Sequence, residues 1–383
     1  MKFMKQRALI VIVGILFALL EYSHAQEMYE PAITPRVNVT LPNINSALKV
    51  WKEYIATRYS DTAQSPAWYD PFLEENCEDI YDAWLPKGKK ATKNLYTMIL
   101  SAEPEKEFVV IKTLWFRRDS AHYYPETIAI TKTHIFLNEE IAPRLCNPLS
   151  MNTEELKKRR VKRLTYIVPS EYKLNYAAAE RMMSFCDSIS ALYDVQDITG
   201  TQFVITNSKD ELARLCGLEY FISPPIGLAY PLSRMLVSSL GNEWYPHEMA
   251  HIIFRQFEYT HPFLFEGLAV FVGGSINDSY KELVQKAAHD LRNRKDIPSL
   301  ATIIDKPIEE SLLHYAIAGV LVHRIFESGG ASAVKKLLSE TNETTTYYEL
   351  MYLIDKQDTK NIESLSDSWK KIVFDYADKF TNH

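Results

Sequence analysis

The chain lacks the features of a nucleic-acid-binding or low-complexity protein. Its 383 residues carry a formal net charge of −6, and this acidic balance argues against binding to nucleic acid or to anionic membranes. Internal repeats and low-complexity segments are absent from the sequence. Hydrophobic residues make up 46% of the chain and charged residues 24%, so it can bury ordinary cores. The length favours two domains over one.

An apolar run long enough for an ordinary membrane span is also missing near the start. The run at residues 8–20 falls short of the roughly 20 residues that a transmembrane helix needs. It follows a basic start and precedes Ser23-His24-Ala25, a pattern that predicts a secretory signal peptide over residues 1–25. An uncleaved anchor is the alternative. We expect an exported protein, periplasmic or secreted, with no stable membrane anchor after cleavage.

Cysteine is scarce, and its spacing does not indicate a cysteine metal site. The four cysteines form no Cys-x-x-Cys pair. Two disulfides, one in each half of the chain, would suit an oxidising compartment, and four reduced, buried thiols are the alternative. The sequence cannot choose among the pairings of Cys77, Cys146, Cys186 and Cys216.

Residues 26–150 predict a small α+β domain of unknown role. Apolar residues recur at helical spacing between Ala47 and Ile55. Runs rich in β-branched and aromatic residues then predict strands, at 95–100, 108–116, 127–133 and 134–137. The charged segment 151–163 predicts a solvated linker to the next domain.

Residues 164–383 predict a second α+β domain, with a short mixed sheet followed mainly by helices. Strand-like segments at 166–168 and 203–205 flank a long amphipathic helix. A further strand is predicted at 235–239, and nearly everything after Pro246 has helical character. Strands first and helices afterwards is the order of an α+β domain.

The strongest chemical signal is the pentad His247-Glu248-Met249-Ala250-His251. Residues four apart lie on one face of a helix, so both imidazoles can occupy two corners of a zinc tetrahedron. Glu248 follows the first histidine and can contact a metal-bound water rather than the metal. Pro246 suits the first turn of such a helix. The alternative is a helix with two histidines that are satisfied in other ways.

A hydrolytic zinc site needs a third protein ligand and an open position. A third histidine directly after the pentad is excluded, because Phe254 and Phe257 occupy the positions that a glycine and a histidine would need. Glu266 lies in an apolar stretch where a lone carboxylate is unfavourable without a partner. A turn at His261-Pro262 would return Glu266 to the metal. We therefore predict Glu266 as the third ligand and His261 as an ordinary turn residue.

The pentad followed by Glu266-Gly267-Leu268-Ala269 resembles the gluzincins, and specifically the peptidase-MA-like family. The resemblance extends over residues 164–380 and includes the segment 315–319 and Trp369. It implies a gluzincin-like zinc-hydrolase domain with Zn²⁺ bound by the two histidines and Glu266. It also implies a peptide or protein substrate.

The same resemblance implies roles for residues outside the ligand set. The pentad glutamate would be the general base, and Tyr315, with His314 as the alternative, would assist the oxyanion. The substrate backbone would lie along an edge strand at 228–231 or 235–239. The family often has an acidic residue where this chain has Val270, so the partner that orients a ligand histidine is unassigned.

These observations predict an exported zinc-dependent metallohydrolase, specifically a peptidase of the gluzincin type. One alternative is an exported binding or interaction protein whose zinc domain is catalytically dead. Another is a metal-dependent deacetylase or esterase on the same scaffold.

Overall fold

The computed structural model describes residues 30–72, 74–118, 125–138, 142–195, 198–276, 278–305, 311–357 and 365–381. The predicted signal peptide, residues 1–25, lies outside the described residues. Within the described ranges, no helix is both long and apolar enough to cross a membrane.

The chain has an α+β fold, with a sheet-rich amino-terminal part and a largely helical carboxyl-terminal part. It divides into two compact units. The first takes in the described residues up to Met151 together with Gly217–Ile222, and the second takes in Asn152–Cys216 and the described residues from Ser223 onward.

The first unit is built on one mixed sheet. Its strands are β1 (Ala32–Ile33), β2 (Trp68–Asp70), β3 (Glu75–Cys77), β4 (Leu95–Glu105), β5 (Phe108–Arg117), β6 (Glu126–Phe136), β7 (Arg144–Cys146) and β11 (Leu218–Phe221). In the described part of the chain their order is β1-β4-β5-β6-β7-β2-β3, with β11 beside β6. The segments 127–133 and 134–137, predicted as separate strands, lie in the single strand β6 or directly after it. β11 comes from the half of the chain that the sequence assigned wholly to the second domain.

Helix α1 (Pro42–Arg58) packs on this sheet through its apolar face. Pro42 begins the helix without loss, since the first helical N–H has no partner within a helix. Trp51 is fully buried, stacks on Tyr54 with ring centroids 4.9 Å apart, and donates its indole N–H to Thr113 Oγ1 at 2.7 Å. A 3₁₀ turn (Ile80–Ala83) and the short helix α2 (Pro148–Thr153) complete the described elements before the second sheet.

The segment 151–163, predicted as a linker, contains a strand. Strand β8 (Lys157–Val161) pairs antiparallel with β9 (Leu164–Val168), with Arg159 opposite Tyr166. The first four side chains of β8 are basic and exposed, which explains why the local composition resembles that of a linker. Charged residues of this kind are common on edge strands, where they oppose pairing with other chains.

The second unit has a five-stranded sheet in the order β12-β13-β10-β9-β8. Its remaining strands are β10 (Gln202–Ile205), β12 (Gly227–Tyr230) and β13 (Met235–Ser238). Strands β9, β10 and β13 are parallel, whereas β12 and β8 run antiparallel at the two edges. Of the two segments predicted as the edge strand, 228–231 overlaps β12 and lies at an edge, whereas 235–239 overlaps β13 and lies inside the sheet.

The helices of this unit enclose its core together with the sheet. They are α3 (Tyr176–Tyr193), α4 (Lys209–Leu215), α5 (Pro246–Ile253), α6 (Pro262–Gly273), α7 (Tyr280–Asn293), α8 (Leu300–Asp305), α9 (Ser311–Glu340, broken at Gly329 and Gly330), α10 (Tyr347–Gln357) and α11 (Leu365–Thr381). A 3₁₀ turn (Arg255–Phe257) follows α5. Helix α5 packs against β12, β13, α3 and α6, so it is held from several sides.

All four cysteines lie among the described residues, and all four are free. Cys77 is paired across the sheet with Trp68, and Cys146 with Tyr69. Strand β2 therefore separates the two thiols, and their paired neighbours point to opposite faces of the sheet, so the predicted disulfide in the first half does not form. Burial raises the pKa of each thiol to about 12. Reduced thiols, the alternative from sequence, describe the structure, with three of them buried and Cys77 partly buried.

His134 should make the first unit sensitive to mild acid. Burial, followed by the charge of Lys132, lowers the pKa of His134 to about 4, below the ordinary value near 6.5 of the unfolded chain. Proton uptake thus favours the unfolded state, and stability is lost as pH falls from 6.5 towards 4. We expect the free energy of unfolding of the native protein to decrease between pH 7 and pH 5. The decrease in His134→Gln should be smaller by at most about 2 kcal/mol.

The measurement is urea unfolding at both pH values, with the exposed His289→Gln as the matched control. His289→Gln should retain the pH dependence of the native protein. Equal pH dependence in His134→Gln and the native protein would contradict the assignment.

Candidate metal centre

Helix α5 presents the two pentad histidines on one face. It begins at Pro246, as the sequence predicts. His247 and His251 are 6% and 7% exposed, and their ring centroids are 5.1 Å apart. The spacing of one helical turn brings the two rings together at an interplanar angle of 81°, and burial directs both into the protein rather than into solvent.

Helix α6 brings Glu266 to these rings. His261 caps α6 by accepting the backbone N–H of Phe263 at 3.2 Å, so it has the turn role expected of it. One turn further along, Glu266 Oε2 lies 3.3 Å from His247 Nε2, and Oε1 lies 3.5 Å from His251 Nε2. One donor atom from each of the three residues lies within 4.8 Å of the others.

A backbone carbonyl fixes the orientation of the first histidine. His247 Nδ1 lies 2.7 Å from the carbonyl oxygen of Gly274. Because a carbonyl only accepts, Nδ1 carries a proton, and Nε2 is the ring nitrogen that faces Glu266. At 3.3 Å from a carboxylate oxygen, Nε2 has to be protonated or to bind a cation.

The electrostatics of the three groups point the same way. Burial lowers the pKa of His247, but the close approach and the charge of Glu266 outweigh this effect and raise the pKa to about 9. Burial raises the pKa of Glu266, yet the two histidines together lower it to about 2. The carboxylate therefore stays ionised, and the group holds positive charge against it, either as a proton or as a metal ion.

The donor set fits zinc. Two imidazole nitrogens and one carboxylate are ligands that zinc prefers, and three protein ligands leave a fourth position for chemistry. Zinc bonds of about 2.0–2.1 Å place the corners of a tetrahedron about 3.3–3.4 Å apart, and the two histidine–glutamate distances are 3.3 and 3.5 Å. Oε2 of Glu266 and Nδ1 of His251 are buried without a hydrogen-bond partner among the described residues. A bound metal ion would give the carboxylate oxygen the partner that it lacks.

The two residues predicted to act in catalysis lie beside this group. Glu248 is partly buried on α5 and does not belong to the three-ligand set. The ring of Tyr315, on α9, stands nearly perpendicular to that of His247, with centroids 6.0 Å apart. Burial and then the charges of Glu266 and Glu248 raise the pKa of Tyr315, so its phenol remains a hydrogen-bond donor at neutral pH.

His314, the alternative to Tyr315, is tied into the helical core. Its Nδ1 lies 3.0 Å from the carbonyl oxygen of Ile303, and its ring meets that of Phe263 with centroids 5.0 Å apart. Its charge nevertheless contributes to lowering the pKa of Glu266. The arrangement is that of a buried residue packed behind the third ligand.

Sequence reasoning missed two residues of the site, Gly274 and Tyr245. Gly274 ends α6 with φ +74° and ψ −147°, a conformation essentially restricted to glycine. A glycine directly after a helical run is a sequence signal for the end of a helix. The sequence does not show that the carbonyl of this glycine contacts His247. Tyr245 precedes Pro246 and is 4% exposed. Burial, followed by the charge of Glu248, raises the pKa of Tyr245.

Substitution of Gly274 should weaken metal binding without removing a ligand. A Cβ at this position would clash with the carbonyl oxygen of Asp278, and the strained backbone would turn the Gly274 carbonyl away from His247. Loss of such a supporting contact typically lowers metal affinity 10- to 100-fold. We expect a decrease of roughly that size in Gly274→Ala, measured by competition with a zinc chelator of known affinity.

Gly241→Ala is the matched control. Gly241 also has a positive φ, of +64°, but a Cβ there would meet no atom within 4 Å. The control therefore carries the backbone strain without disturbing the histidine. A similar zinc affinity in the two variants would contradict the role of the Gly274 carbonyl.

Comparison with known proteins finds distant structural similarity. The chain matches no family model and no curated protein. Solved structures that match it include a mutant of a two-domain M1 zinc metallopeptidase bound to L-tryptophan, at 11% sequence identity and a TM-score of 0.33. The match covers 74% of this chain and 62% of that chain, less than two thirds of its length. A similarity this low does not define the chemistry of the site, which has to be judged from the residues described above.

Proposed function

We propose that the chain is an exported zinc-dependent hydrolase that cleaves peptide bonds. The observation that supports this most strongly is the group formed by His247, His251 and Glu266, in which one donor atom from each residue lies within 4.8 Å of the others. Three protein ligands with one open position are typical of catalytic rather than structural zinc sites.

In this proposal the ligands hold the ion, and two other side chains move or donate protons. Zinc, when bound, lowers the pKa of water and polarises a carbonyl group. Glu248 accepts a proton at its carboxylate and returns it to the leaving nitrogen. Tyr315 donates its O–H to the oxygen on which negative charge develops. The ring of Tyr315 is near enough to His247 for this role.

The edge strand beside the site favours an extended peptide as substrate. Strand β12 lies at the edge of its sheet and packs against α5. An extended peptide can add to such an edge through backbone hydrogen bonds, which a small ester or acetyl group cannot do. Leu228 and Ala229 are partly exposed on this strand and would contact substrate side chains.

The test is hydrolysis by the mature, zinc-loaded protein of three substrate sets: internally quenched peptides, acetylated lysine peptides and aryl esters. We expect cleavage within the peptides, its loss on treatment with a chelator, and its recovery with zinc. Hydrolysis of only the acetyl or ester substrates would replace the peptidase with a deacetylase or esterase. Bound zinc without hydrolysis of any set would favour an exported binding protein.

Export is proposed from residues 1–25 alone. Amino-terminal sequencing of protein recovered from the periplasm or the medium should find the mature chain beginning just after Ala25. A full-length amino terminus would contradict cleavage.

A further inference from the structure

The outer edge of the second sheet is strongly basic. Strand β8 is the last strand in the order β12-β13-β10-β9-β8, so β9 is the one described strand that pairs with it. The strand begins with four consecutive bases, Lys157, Lys158, Arg159 and Arg160, and each of them is exposed. In an edge strand, alternate residues direct their backbone N–H and C=O groups away from the sheet. Cationic side chains therefore flank a backbone edge that is open to a further strand.

The positive charges of this run are not compensated by described carboxylates. Lys157 donates to the carbonyl oxygen of Ser170 at 2.6 Å, and Arg160 donates through Nε to the carbonyl oxygen of Lys162 at 3.0 Å. Both acceptors are neutral. The other two side chains of the run make no hydrogen bond or ion pair with a described residue. In a chain whose net charge is −6, this strand is a local concentration of available cations.

The four cations lie on both faces of the strand. Arg159 is opposite Tyr166, a residue of the core, and Lys157 lies on the same face as Arg159. Lys158 and Arg160 alternate with them and point to the other face. Neighbouring side chains on one face of a strand are about 6.8 Å apart, and an extended peptide repeats its side chains at the same interval. Acidic residues of an added strand would therefore come opposite the bases.

This arrangement favours an extended acidic peptide over a membrane. A linear chain along the edge meets the charges of both faces, whereas a flat anionic surface faces the strand from one side. Binding to a membrane surface also depends on apolar side chains that insert into it. Val161, the apolar residue of β8, is 7% exposed and is not available for insertion.

The arrangement also favours a peptide over a nucleic acid. Strand β8 contains no aromatic residue on which a base could stack. Phosphate groups can accept from the backbone N–H groups of the edge but cannot donate to its carbonyl groups, whereas a peptide backbone does both. Like charges on an edge oppose pairing with neutral or basic strands, and the same charges favour an acidic one, since opposite charges on neighbouring strands attract.

We propose that β8 is a docking edge for an extended acidic segment of a partner protein. The segment adds to the sheet through backbone hydrogen bonds and places its carboxylates beside the side chains of residues 157–160. This inference depends on β8 and not on the metal centre, so it does not require the chain to be a hydrolase.

The test is the binding of the fluorescent peptide Glu-Glu-Val-Glu-Glu-Val-Glu-Glu to the mature chain, followed by anisotropy. We expect affinity to decrease as salt rises, because exposed charges are screened. The triple variant Lys158→Gln, Arg159→Gln, Arg160→Gln should bind roughly tenfold more weakly, since each exposed ion pair contributes modestly. Unchanged affinity in this variant would overturn the proposal.

A triple variant of the first unit, Lys89→Gln, Lys90→Gln, Lys93→Gln, is the matched control. All three lysines are exposed, and their replacement removes the same number of positive charges as the β8 variant. The control should keep the native affinity for the peptide. An equal decrease in the two triple variants would show that net charge alone attracts the peptide, and would overturn the assignment to β8.

Methylated peptides test the addition of a strand. Methylation of every backbone nitrogen keeps the carboxylates but removes the donors, and should weaken binding at least tenfold through the lost hydrogen bonds. Methylation of alternate nitrogens leaves one edge of donors intact, so this control peptide should bind like the parent. Equal affinity of all three peptides would overturn strand addition. Tighter binding of duplex DNA, or of vesicles that contain phosphatidylglycerol, at the same salt concentration would overturn the choice of an acidic peptide.

Discussion

Glu266→Ala should bind zinc far more weakly than the native protein and lose activity with it. The variant removes one of three ligands and leaves two buried histidines without the carboxylate that faces both. The decrease in affinity should exceed the roughly 10–100-fold that follows from losing a supporting contact alone. Zinc content after dialysis measures the loss of affinity, and the rate of peptide hydrolysis measures the loss of activity.

Glu180→Ala provides the control, because Glu180 is an exposed glutamate on α3. It should retain about one zinc per chain and full activity. Zinc retained at native affinity in Glu266→Ala would remove Glu266 from the ligand set. Absence of zinc from the native protein at neutral pH, where the ligands should bind it, would remove the metal centre altogether.

Glu248→Gln should separate chemistry from metal binding. The amide keeps the shape of the side chain but cannot accept a proton from water, and general acid–base groups typically contribute roughly 10²–10⁴-fold to rate. Since Glu248 lies outside the three-ligand group, zinc content should not change. We expect kcat to decrease by that factor, as measured on the best quenched peptide.

Two outcomes would contradict this assignment. Loss of zinc from Glu248→Gln would make Glu248 part of the metal site rather than the base. Full activity with zinc in place would place the base elsewhere. Glu180 is exposed on α3, so the Glu180→Gln variant controls for the loss of one negative charge.

The helix pair that carries the metal-binding group could be predicted because its signals are local. His247 and His251 are one helical turn apart, and Pro246 indicates where that helix begins. The turn at His261 follows from the adjacent proline. Glu266 is an ionisable residue in an apolar stretch, and the structure brings it to the two histidines. Periodicity and turn chemistry within 20 residues are enough for all of this.

The parts that escaped prediction depend on contacts between distant residues. Strand β8 has the composition of a linker, and only pairing with β9 makes it a strand. Strand β11 leaves its own half of the chain to pair with β6. Tyr245 acquires its position from Gly227, 18 residues earlier and on another element. No local pattern encodes these pairings, because each partner alone is compatible with several structures.

The metal-binding group and the carbonyl that orients it come from one stretch of chain, residues 247–274. The rest of the second unit supplies Tyr315 and the edge strand, and none of its described residues belongs to the candidate metal-binding group. In the proposed function, changes in β12 or α9 would therefore alter substrate preference while the residues of the candidate metal centre stay the same. Specificity, through the strand, and reactivity, through the helical hairpin, would then be independently adjustable by engineering.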